Sequence, residues 1–509
     1  MGAAGERVGA VAILLALVLC AVLYLMAVGP YWKISPDSVS YVSAAVSLAS
    51  GQGYSEAGKP VILFPPVTSL MFSIAILLFP GSYLALNALV TVFALLAHAA
   101  AFVLLRKQVS SVRAAVSVLL SLGSILMFYT STLLLSDILY FFWSMVALAA
   151  AEHLSERQST RAQQLTLAVI VWIACMTRIA GVTLVAAIVC HSLISPQRKE
   201  VRRSLLVFML LVALTIALWE VRSLRLGTSY LKLTLQNEPW VDEAGYASPL
   251  GQLRKFYHNL DDYGVIGDIL TNDIFRDQWT YTGLLARGIP LALFCLGLAH
   301  SIRRRITVTD IYCAIYLLVS GLYFTYIDIR FFVPIMPLLF HYALVGGHAI
   351  LEQARLRLRR LAPTIARIGL AVYVAGFVWA GVAEMVRAVP GEHTSPFGAH
   401  PIKYVHNYDL QRLGLWLRDN SAPYETYVCQ HADLVGYITE REGYNFPFSA
   451  DPDKVVDALE AKQVTYVLAD KKKEMVQQFL LPAIQAYPDR FTLIQDQEDA
   501  SLYEFTLQP

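Results

Sequence analysis

Long apolar runs, separated by short polar stretches, dominate this sequence. A helix needs about 17 to 25 apolar residues to cross the hydrocarbon core of a bilayer, and many of these runs have that length. The composition agrees, because 56% of the residues are hydrophobic and only 15% are charged, against about 25% charged in soluble domains. The pattern therefore predicts a polytopic α-helical membrane protein with about 11 transmembrane helices. The predicted spans are residues 8–29, 84–105, 114–132, 138–152, 163–177, 180–195, 204–221, 284–301, 308–326, 331–351 and 364–386.

Clusters of Lys and Arg predict the orientation of these spans, since such clusters favour the cytoplasmic side. They lie at residues 106–113, 157–161, 198–203, 303–305 and 355–367. All five fall inside only if the apolar segment 64–80, which has prolines at both ends, dips into the membrane or lies flat on its outer side. The first span, 8–29, is interpreted as an uncleaved helix with a cytoplasmic N-terminus, and a cleaved signal peptide is the alternative.

This topology places three loops and the C-terminal region outside. The outer loops are residues 30–83, 133–137 and 222–283, and they belong with the spans to a membrane domain over residues 1–387. Residues 388–509 are predicted to form a small soluble α/β domain on the outer face. Four of its segments read as strands and one as a capped helix. The strands are "ETYVCQ", "VTYVLAD", "RFTLIQD" and "SLYEFTL", and the helix is "DPDKVVDALEAK".

Two acids stand out at the predicted outer ends of spans. Asp37 precedes "SVSYVSAAVSLAS", whose apolar residues share one face, so an interfacial helix with Asp37 near its N-terminus is expected. Asp137 interrupts "LLLSDILYFFW". One acid would deprotonate an acceptor hydroxyl while the other orients it or holds a metal. The alternatives are a solvated loop aspartate for Asp37 and, at the second acid, a helix N-cap formed by Ser136 or Asp137.

Cations on the same predicted face suggest a phosphate site. Arg178 in "CMTRIAGVT" has no acid close to it in sequence, and a guanidinium binds phosphate through paired hydrogen bonds. Arg330 in "YIDIRFFVPIMP" and Lys59 are further candidates. An ion pair with Asp328 is the alternative for Arg330, and contact with lipid headgroups is the alternative for Lys59.

Aromatic residues of the outer loops are candidates for contact with a sugar or an acceptor. They are Tyr41, Tyr54, Trp240 and Tyr246. A membrane-interface aromatic belt explains such residues equally well. The net charge of +2 gives no global field for nucleic acid, so no nucleic-acid partner is expected. No Cys/His metal pattern is present; no cofactor is assigned, and a divalent metal remains open.

Several segments together resemble the membrane-embedded glycosyltransferases of the GT-C fold. Within that group the similarity is to the bacterial branch related to protein O-mannosyltransferases and lipid A aminoarabinose transferases. The matching segments are "SPDSVSYVSAAVSLASGQGY", "GKPVILFPPVTSLMF", "LLLSDILYFFWSMVAL", "TRIAGVTL" and "YIDIRFFVPIMPLL". Many members carry two adjacent acids in the first outer loop, whereas here Ser38 follows Asp37.

The resemblance implies an inverting transfer of a sugar from a polyprenyl-phosphate donor to a lipid, glycan or protein acceptor at the outer face. It implies Asp37 as the general base, Asp137 as a second acid, and Arg178 and Arg330 as phosphate-binding residues. A bacterial inner membrane is the expected location. The alternatives are a non-catalytic binder of the lipid-linked sugar, and a transporter or scaffold with an outer sensor domain; a transporter usually buries its charges near mid-membrane.

Overall fold

The computed structural model describes residues 3–56, 58–155, 159–195, 199–272, 281–323, 328–358, 361–394, 408–441 and 443–507. Parts of the predicted basic clusters, including Arg157 and Arg198, lie outside these residues. The chain packs into two compact units. The first contains Met1–Trp32, Ala44–Leu235 and Ala247–Ala399, and the second contains Lys33–Ser43, Gln236–Tyr246 and His400–Pro509. The predicted functional division at residue 387 stays a prediction.

The first unit is built from helices. In chain order, and including α2, whose residues are divided between the units, they are α1 (Ala3–Met26), α2 (Pro36–Ala49), α3 (Val67–Leu78), α4 (Tyr83–Leu105), α5 (Ser111–Leu122), α6 (Ile125–Thr130), α7 (Ser136–Ser155), α8 (Arg161–Thr177), α9 (Val182–Ile194), α10 (Lys199–Arg225), α11 (Tyr230–Leu235), α12 (Pro249–His258), α13 (Val265–Thr271), α14 (Tyr281–Arg304), α15 (Val308–Tyr323), α16 (Met336–Leu358) and α17 (Leu361–Thr394). A short hairpin joins α2 to α3, and its strands are β1 (Ser55–Glu56) and β2 (Lys59–Pro60).

Each predicted span coincides with helical structure, which confirms the predicted fold class. Six of the described helices are long and apolar enough to cross a membrane, and others are shorter and apolar. The segment 64–80 forms α3, a helix of 12 residues. At 1.5 Å per residue α3 is about 18 Å long, less than the roughly 30 Å of a hydrocarbon core. It is therefore too short to cross by itself.

The span predicted over residues 114–132 is broken between α5 and α6. Asn272, at the end of α13, supports this break: its Nδ2 donates to the carbonyl of Gly123 at 3.2 Å, and its Oδ1 accepts from the amide of Ile125 at 2.9 Å. The backbone groups released by the break are thus paired inside the bundle, as an apolar environment requires.

Close helix packing uses small residues, and the contact between α14 and α16 is an example. A Cβ added at Gly297 would lie 1.7 Å from the carbonyl oxygen of Tyr342. No larger residue fits there, so glycine lets the two backbones approach each other. Many large apolar side chains of α1 and α10 remain exposed in the described chain, as expected of helices that face lipid.

Besides the start of α2, the second unit contains one mixed five-stranded sheet and, among the described residues, four further α-helices. The strands are β3 (Thr426–Val428), β4 (Gly443–Tyr444), β5 (Val464–Asp470), β6 (Phe491–Asp496) and β7 (Ala500–Phe505). The helices are α18 (Tyr408–Asn420), α19 (Ala432–Thr439), α20 (Pro452–Ala461) and α21 (Leu481–Ala486). The strand order is β4-β3-β5-β7-β6, with β4, β3 and β5 parallel and the two pairings of β7 antiparallel.

The predicted strands and helix of this domain are confirmed. Asp451 caps α20 by accepting from the amide of Asp453 at 3.1 Å, and Pro452 occupies the first helical turn, where its missing N–H costs nothing. The buried core of the sheet includes Val428, Val467 and Phe505. Successive side chains of a strand point to opposite faces of the sheet, and these three residues lie at buried positions of β3, β5 and β7.

Two loop segments distant in sequence belong to the second unit. Val241 of segment 236–246 is buried in the core of the sheet domain, and Glu243 pairs with Lys454 at 2.8 Å. In segment 33–43, the carbonyl of Ile34 accepts from Gln411 Nε2 of α18 at 3.3 Å. The C-terminal domain therefore packs with parts of two predicted outer loops.

Candidate functional site

Arg178 occupies a sharp connection between α8 and α9. It is the C-cap of α8, with an extended backbone (φ −152°, ψ 135°), and its amide donates to the carbonyl of Ala174 at 3.0 Å. A single 3-10 turn, Ile179–Gly181, follows. A Cβ added at Gly181 would lie 2.6 Å from the Cα of Cys175, so the turn requires glycine. The sequence "TRIAGV" therefore ends one helix, starts the next and leaves Arg178 at the bend.

Asp137 lies in the first turn of α7 and faces this bend. Its Oδ1 is 2.9 Å from Nη1 of Arg178, and the same Nη1 donates to Ser136 Oγ at 3.1 Å. The Asp137 side chain is 1% exposed and that of Arg178 is 20% exposed. Within the described chain, neither carboxylate oxygen of Asp137 accepts a hydrogen bond. Asp137 therefore does not cap α7 through its side chain, and its contact with Arg178 is an ion pair.

An aromatic ring supports the guanidinium from another side. The Cζ of Arg178 lies 5.5 Å from the centroid of Phe331, within the range of a cation–π interaction. Phe331 belongs to a 3-10 segment, Ile329–Ile335, that precedes α16. Its carbonyl accepts from the hydroxyl of Tyr316 on α15 at 2.7 Å. Tyr316 thus holds the segment whose ring contacts the arginine.

Further tyrosines lie behind this pair. Tyr140, one helical turn after Asp137, donates to the carbonyl of Ala180 at 3.1 Å and lies 3.2 Å from the hydroxyl of Tyr312. Its ring stacks on that of Tyr316 at 6.5 Å between centroids. Helices α7 and α15 and the turn after α8 are therefore joined by buried hydroxyl contacts, which fix Asp137 and Arg178 on a rigid support.

Arg330 has a local partner. Its Nε lies 3.0 Å from Oδ2 of Asp328, and its amide donates to Oδ1 of the same carboxylate at 2.9 Å. Asp328 is also the N-cap of the 3-10 segment. The ion pair considered from the sequence is therefore present, and the role of Arg330 in phosphate binding stays a prediction.

The first outer loop is anchored to the end of α10. Trp219 Nε1 donates to the carbonyl of Leu63 at 3.3 Å, and Ser223 Oγ donates to that of Ile62 at 2.6 Å. Tyr54 donates to the carbonyl of Phe64 at 2.9 Å, and its ring lies 6.2 Å from that of Trp219. Tyr54 thus has a structural contact within the first unit, and Lys59 is exposed on β2.

The other predicted residues belong to the second unit. Asp37 is in the first turn of α2, whose start is stabilised by Ser38: its Oγ accepts from the amide of Ser35 and donates to the carbonyl of Ser35, both at 2.8 Å. Tyr41 is buried, whereas Trp240 and Tyr246 are exposed. The structure thus brings Asp137 and Arg178 together within one unit and divides the predicted set between two.

Sequence reasoning missed Phe331, Tyr316 and Tyr140, which surround the Asp137–Arg178 pair. Tyrosine and phenylalanine are ordinary residues of apolar spans, so no local signal marks them. In the described residues, no group of three or more His, Cys, Asp or Glu side chains is placed to hold a metal ion.

Comparison with known proteins places this architecture among solved structures. No protein-family model matches the sequence, and no curated protein sequence matches it. ArnT from Cupriavidus metallidurans bound to undecaprenyl phosphate superposes with a TM-score of 0.56 at 12% sequence identity, covering 98% of this chain and 99% of that chain. The archaeal oligosaccharyltransferase AglB from Archaeoglobus fulgidus, in complex with an inhibitory peptide and a dolichol-phosphate, gives a TM-score of 0.56 at 12% identity. That match covers 97% of this chain and 74% of AglB.

These similarities extend over nearly the whole chain, although the sequences have diverged widely. They concern the fold, since sequence identity is low. Together with the helices long and apolar enough to cross a membrane, they show an integral membrane protein with the GT-C fold.

Proposed function

We propose that this chain is a membrane glycosyltransferase that uses a polyprenyl-phosphate-linked sugar as its donor. Two of the similar structures hold a lipid phosphate, undecaprenyl phosphate in ArnT and dolichol-phosphate in AglB. The finer proposal is an inverting transfer to a lipid, glycan or protein acceptor at the outer face of a bacterial inner membrane. The N-terminus would then be cytoplasmic and the C-terminal domain outside.

The observation that carries this proposal is the Arg178 site. A guanidinium that is 20% exposed is held at the bend between two helices by a carboxylate that is only 1% exposed. Phe331 supports it from another side. Such a cation, fixed before the ligand arrives, stabilises the growing negative charge on a leaving phosphate without reorganisation. Asp137 is then a positioning residue for Arg178.

The proposed transfer step forms one bond, breaks one bond and moves one proton. The oxygen of an acceptor hydroxyl attacks the anomeric carbon from the face opposite the phosphate. The bond between that carbon and the phosphate oxygen breaks, and polyprenyl phosphate leaves with the electron pair. Asp37 takes the hydroxyl proton as general base. Asp37 enters the proposal through its sequence position and the family resemblance, as do Arg330 and Lys59 in phosphate binding.

The first experiment measures release of free polyprenyl phosphate from a panel of polyprenyl-phosphate sugars. Asp37→Asn keeps the size of the side chain and removes the base, so turnover is expected to fall by about 10²-fold or more while donor binding is retained. Asp419→Asn, at an exposed position of α18 paired with Arg418, is the matched control and should behave as wild type.

The outcomes separate the alternatives. Wild-type turnover that Asp37→Asn leaves unchanged rules out Asp37 as the base. Donor binding without turnover, tested with lipid, glycan and peptide acceptors present, supports the non-catalytic binder. If no donor binds, the result favours a transporter or a scaffold with an outer sensor domain.

A further inference from the structure

Polar side chains gather at the carboxyl ends of two neighbouring parallel strands in the C-terminal domain. Gln430 and His431 follow β3, and Asp470 ends β5, with Lys473 three residues later. Since β3 and β5 pair in parallel, with Val428 opposite Val467, these residues emerge at the same edge of the sheet. None of them belongs to the site described above.

The order of the strands predicts a crevice at this edge. Strand β3 is first in sequence, β4 lies on one side of it and β5 on the other. The connection through α19 joins β3 to β4 on one side of it, and the connection through α20 joins β4 to β5 on the other side of β3. In open α/β sheets the crevice at such a switch point, outside the carboxyl ends of the strands, is where ligands bind.

Two acceptor atoms at this crevice have no donor among the described residues. Asp470 is 6% exposed. Its Oδ1 accepts from the amide of Lys472 at 3.2 Å, whereas its Oδ2 and the Oε1 of Gln430 are shielded from solvent and accept no hydrogen bond from the described residues. A buried acceptor without a donor destabilises the folded protein, so these two atoms favour the arrival of a donor.

Charged groups of both signs act on this edge: Lys473 affects His431 and Asp470, and Asp499 also affects Asp470. Burial, together with the positive charge of Lys473, lowers the pKa of His431 to about 3, so the imidazole is neutral at physiological pH. Burial raises the pKa of the Asp470 carboxyl, and Lys473 opposes this effect. The crevice thus offers two acceptors without a donor, the amide NH2 group of Gln430, the ammonium group of Lys473 and one neutral imidazole that can donate or accept.

These donors and acceptors favour one class of ligand over the others. A phosphate or carboxylate would bring more acceptors to a place where acceptors lack donors, next to the carboxylate of Asp470. A metal ion would need more ligands, and the described chain places no three His, Cys, Asp or Glu side chains together. A vicinal pair of hydroxyls supplies donors for Asp470 and Gln430 and accepts from Lys473. We propose that the crevice formed by Gln430, His431, Asp470 and Lys473 is a carbohydrate-binding site.

The neighbouring packing suggests what the carbohydrate is for. Asp409 of α18 accepts from the amide of Asp499 at 2.8 Å, and Lys472 pairs with Asp499 at 2.5 Å. Helix α18 is thus fixed beside the end of β5, and it also binds the carbonyl of Ile34 in the segment that carries Asp37. The carbohydrate would be the acceptor, or part of it. This role rests on the proposed function, whereas the binding itself does not.

The test is hydrogen–deuterium exchange of the full-length protein in detergent, with cellobiose, maltose or N,N′-diacetylchitobiose as the probe. We expect at least one disaccharide to slow exchange in the peptides that contain residues 428–434 and 468–475. Asp470→Asn should weaken that binding about tenfold, which corresponds to about 1.4 kcal/mol. Asp457→Asn, at an exposed position of α20, is the matched control and should bind as wild type.

Each outcome has a stated meaning. Absence of protection with all three disaccharides overturns the carbohydrate site, and protection by inorganic phosphate instead overturns the ligand class. If Asp470→Asn exposes the strands themselves, Gln430→Met serves as the second variant, and full binding by that variant counts against the site. Disaccharide binding without any transfer activity would contradict the proposed function and leave the binding site intact.

Discussion

The contact between Asp137 and Arg178 predicts an asymmetric response to mutation. The two side chains are 2.9 Å apart, and Asp137 is 1% exposed whereas Arg178 is 20% exposed. Coulomb attraction at this distance is about 6 kcal/mol for an effective dielectric constant of 20, and the cost of removing both charges from water offsets much of it. Removing one partner leaves the other uncompensated, and the loss depends on how deeply that other group is buried.

Arg178→Gln leaves the deeply buried carboxylate alone, so we expect the free energy of unfolding to fall by about 3–5 kcal/mol. Asp137→Asn leaves the more exposed guanidinium alone, and contact with water and with Phe331 should limit the loss to about 1–3 kcal/mol. The double variant should be less destabilised than the sum of the two, with a coupling energy of about 2 kcal/mol.

The measurement is a double-mutant cycle on the purified protein, with equilibrium unfolding followed in mixed detergent micelles. The ion pair of Arg304 with Glu352, in which both side chains are more than half exposed, provides the control cycle. Its coupling should be below about 1 kcal/mol. Additivity of Asp137→Asn and Arg178→Gln within about 0.5 kcal/mol would refute the reasoning, as would a greater loss from Asp137→Asn than from Arg178→Gln.

Three further predictions follow from named contacts. Tyr316→Phe removes the hydrogen bond to Phe331 and should raise the Kd for the lipid-phosphate donor about 5- to 10-fold; Tyr24→Phe, which removes a buried hydroxyl bond to another carbonyl, should leave that Kd unchanged. Gly181→Ala should lower the midpoint of thermal unfolding, because its Cβ would overlap the backbone of α8; an unchanged midpoint would contradict the tight turn. His431 has a pKa of about 3 in the folded protein, so between pH 3 and about 6.5 the folded state binds fewer protons than the unfolded state. The free energy of opening β3 should therefore rise with pH in this range, by at most about 1.4 kcal/mol per pH unit. Hydrogen exchange, corrected for intrinsic exchange rates, measures this free energy. His431→Asn should flatten that slope, whereas an equal slope in both proteins would assign it to other groups.

Local periodicity was sufficient for most of the fold. Each predicted span coincides with helical structure, in one case divided between two helices, because the requirement for about 20 apolar residues is a property of a continuous stretch. The same holds for the C-terminal domain, where β5, β7 and the capped helix α20 follow from alternation, apolar content and the Asp451–Pro452 start. The break between α5 and α6 was missed, because the groups that stabilise it belong to Asn272, far away in sequence.

The candidate site shows the same difference between local sequence signals and contacts made by residues distant in sequence. Arg178 and Asp137 could be selected from the sequence because a charge inside an apolar run is costly and needs a reason. The sequence by itself therefore determined which residue types are exceptional, and also that a glycine follows Arg178 at the bend. Only the tertiary structure decided that the two charges form a pair and that Phe331 and Tyr316 support the arginine. Those contacts join helices distant in sequence, and apolar or aromatic residues in a span carry no local mark of the partner they will meet.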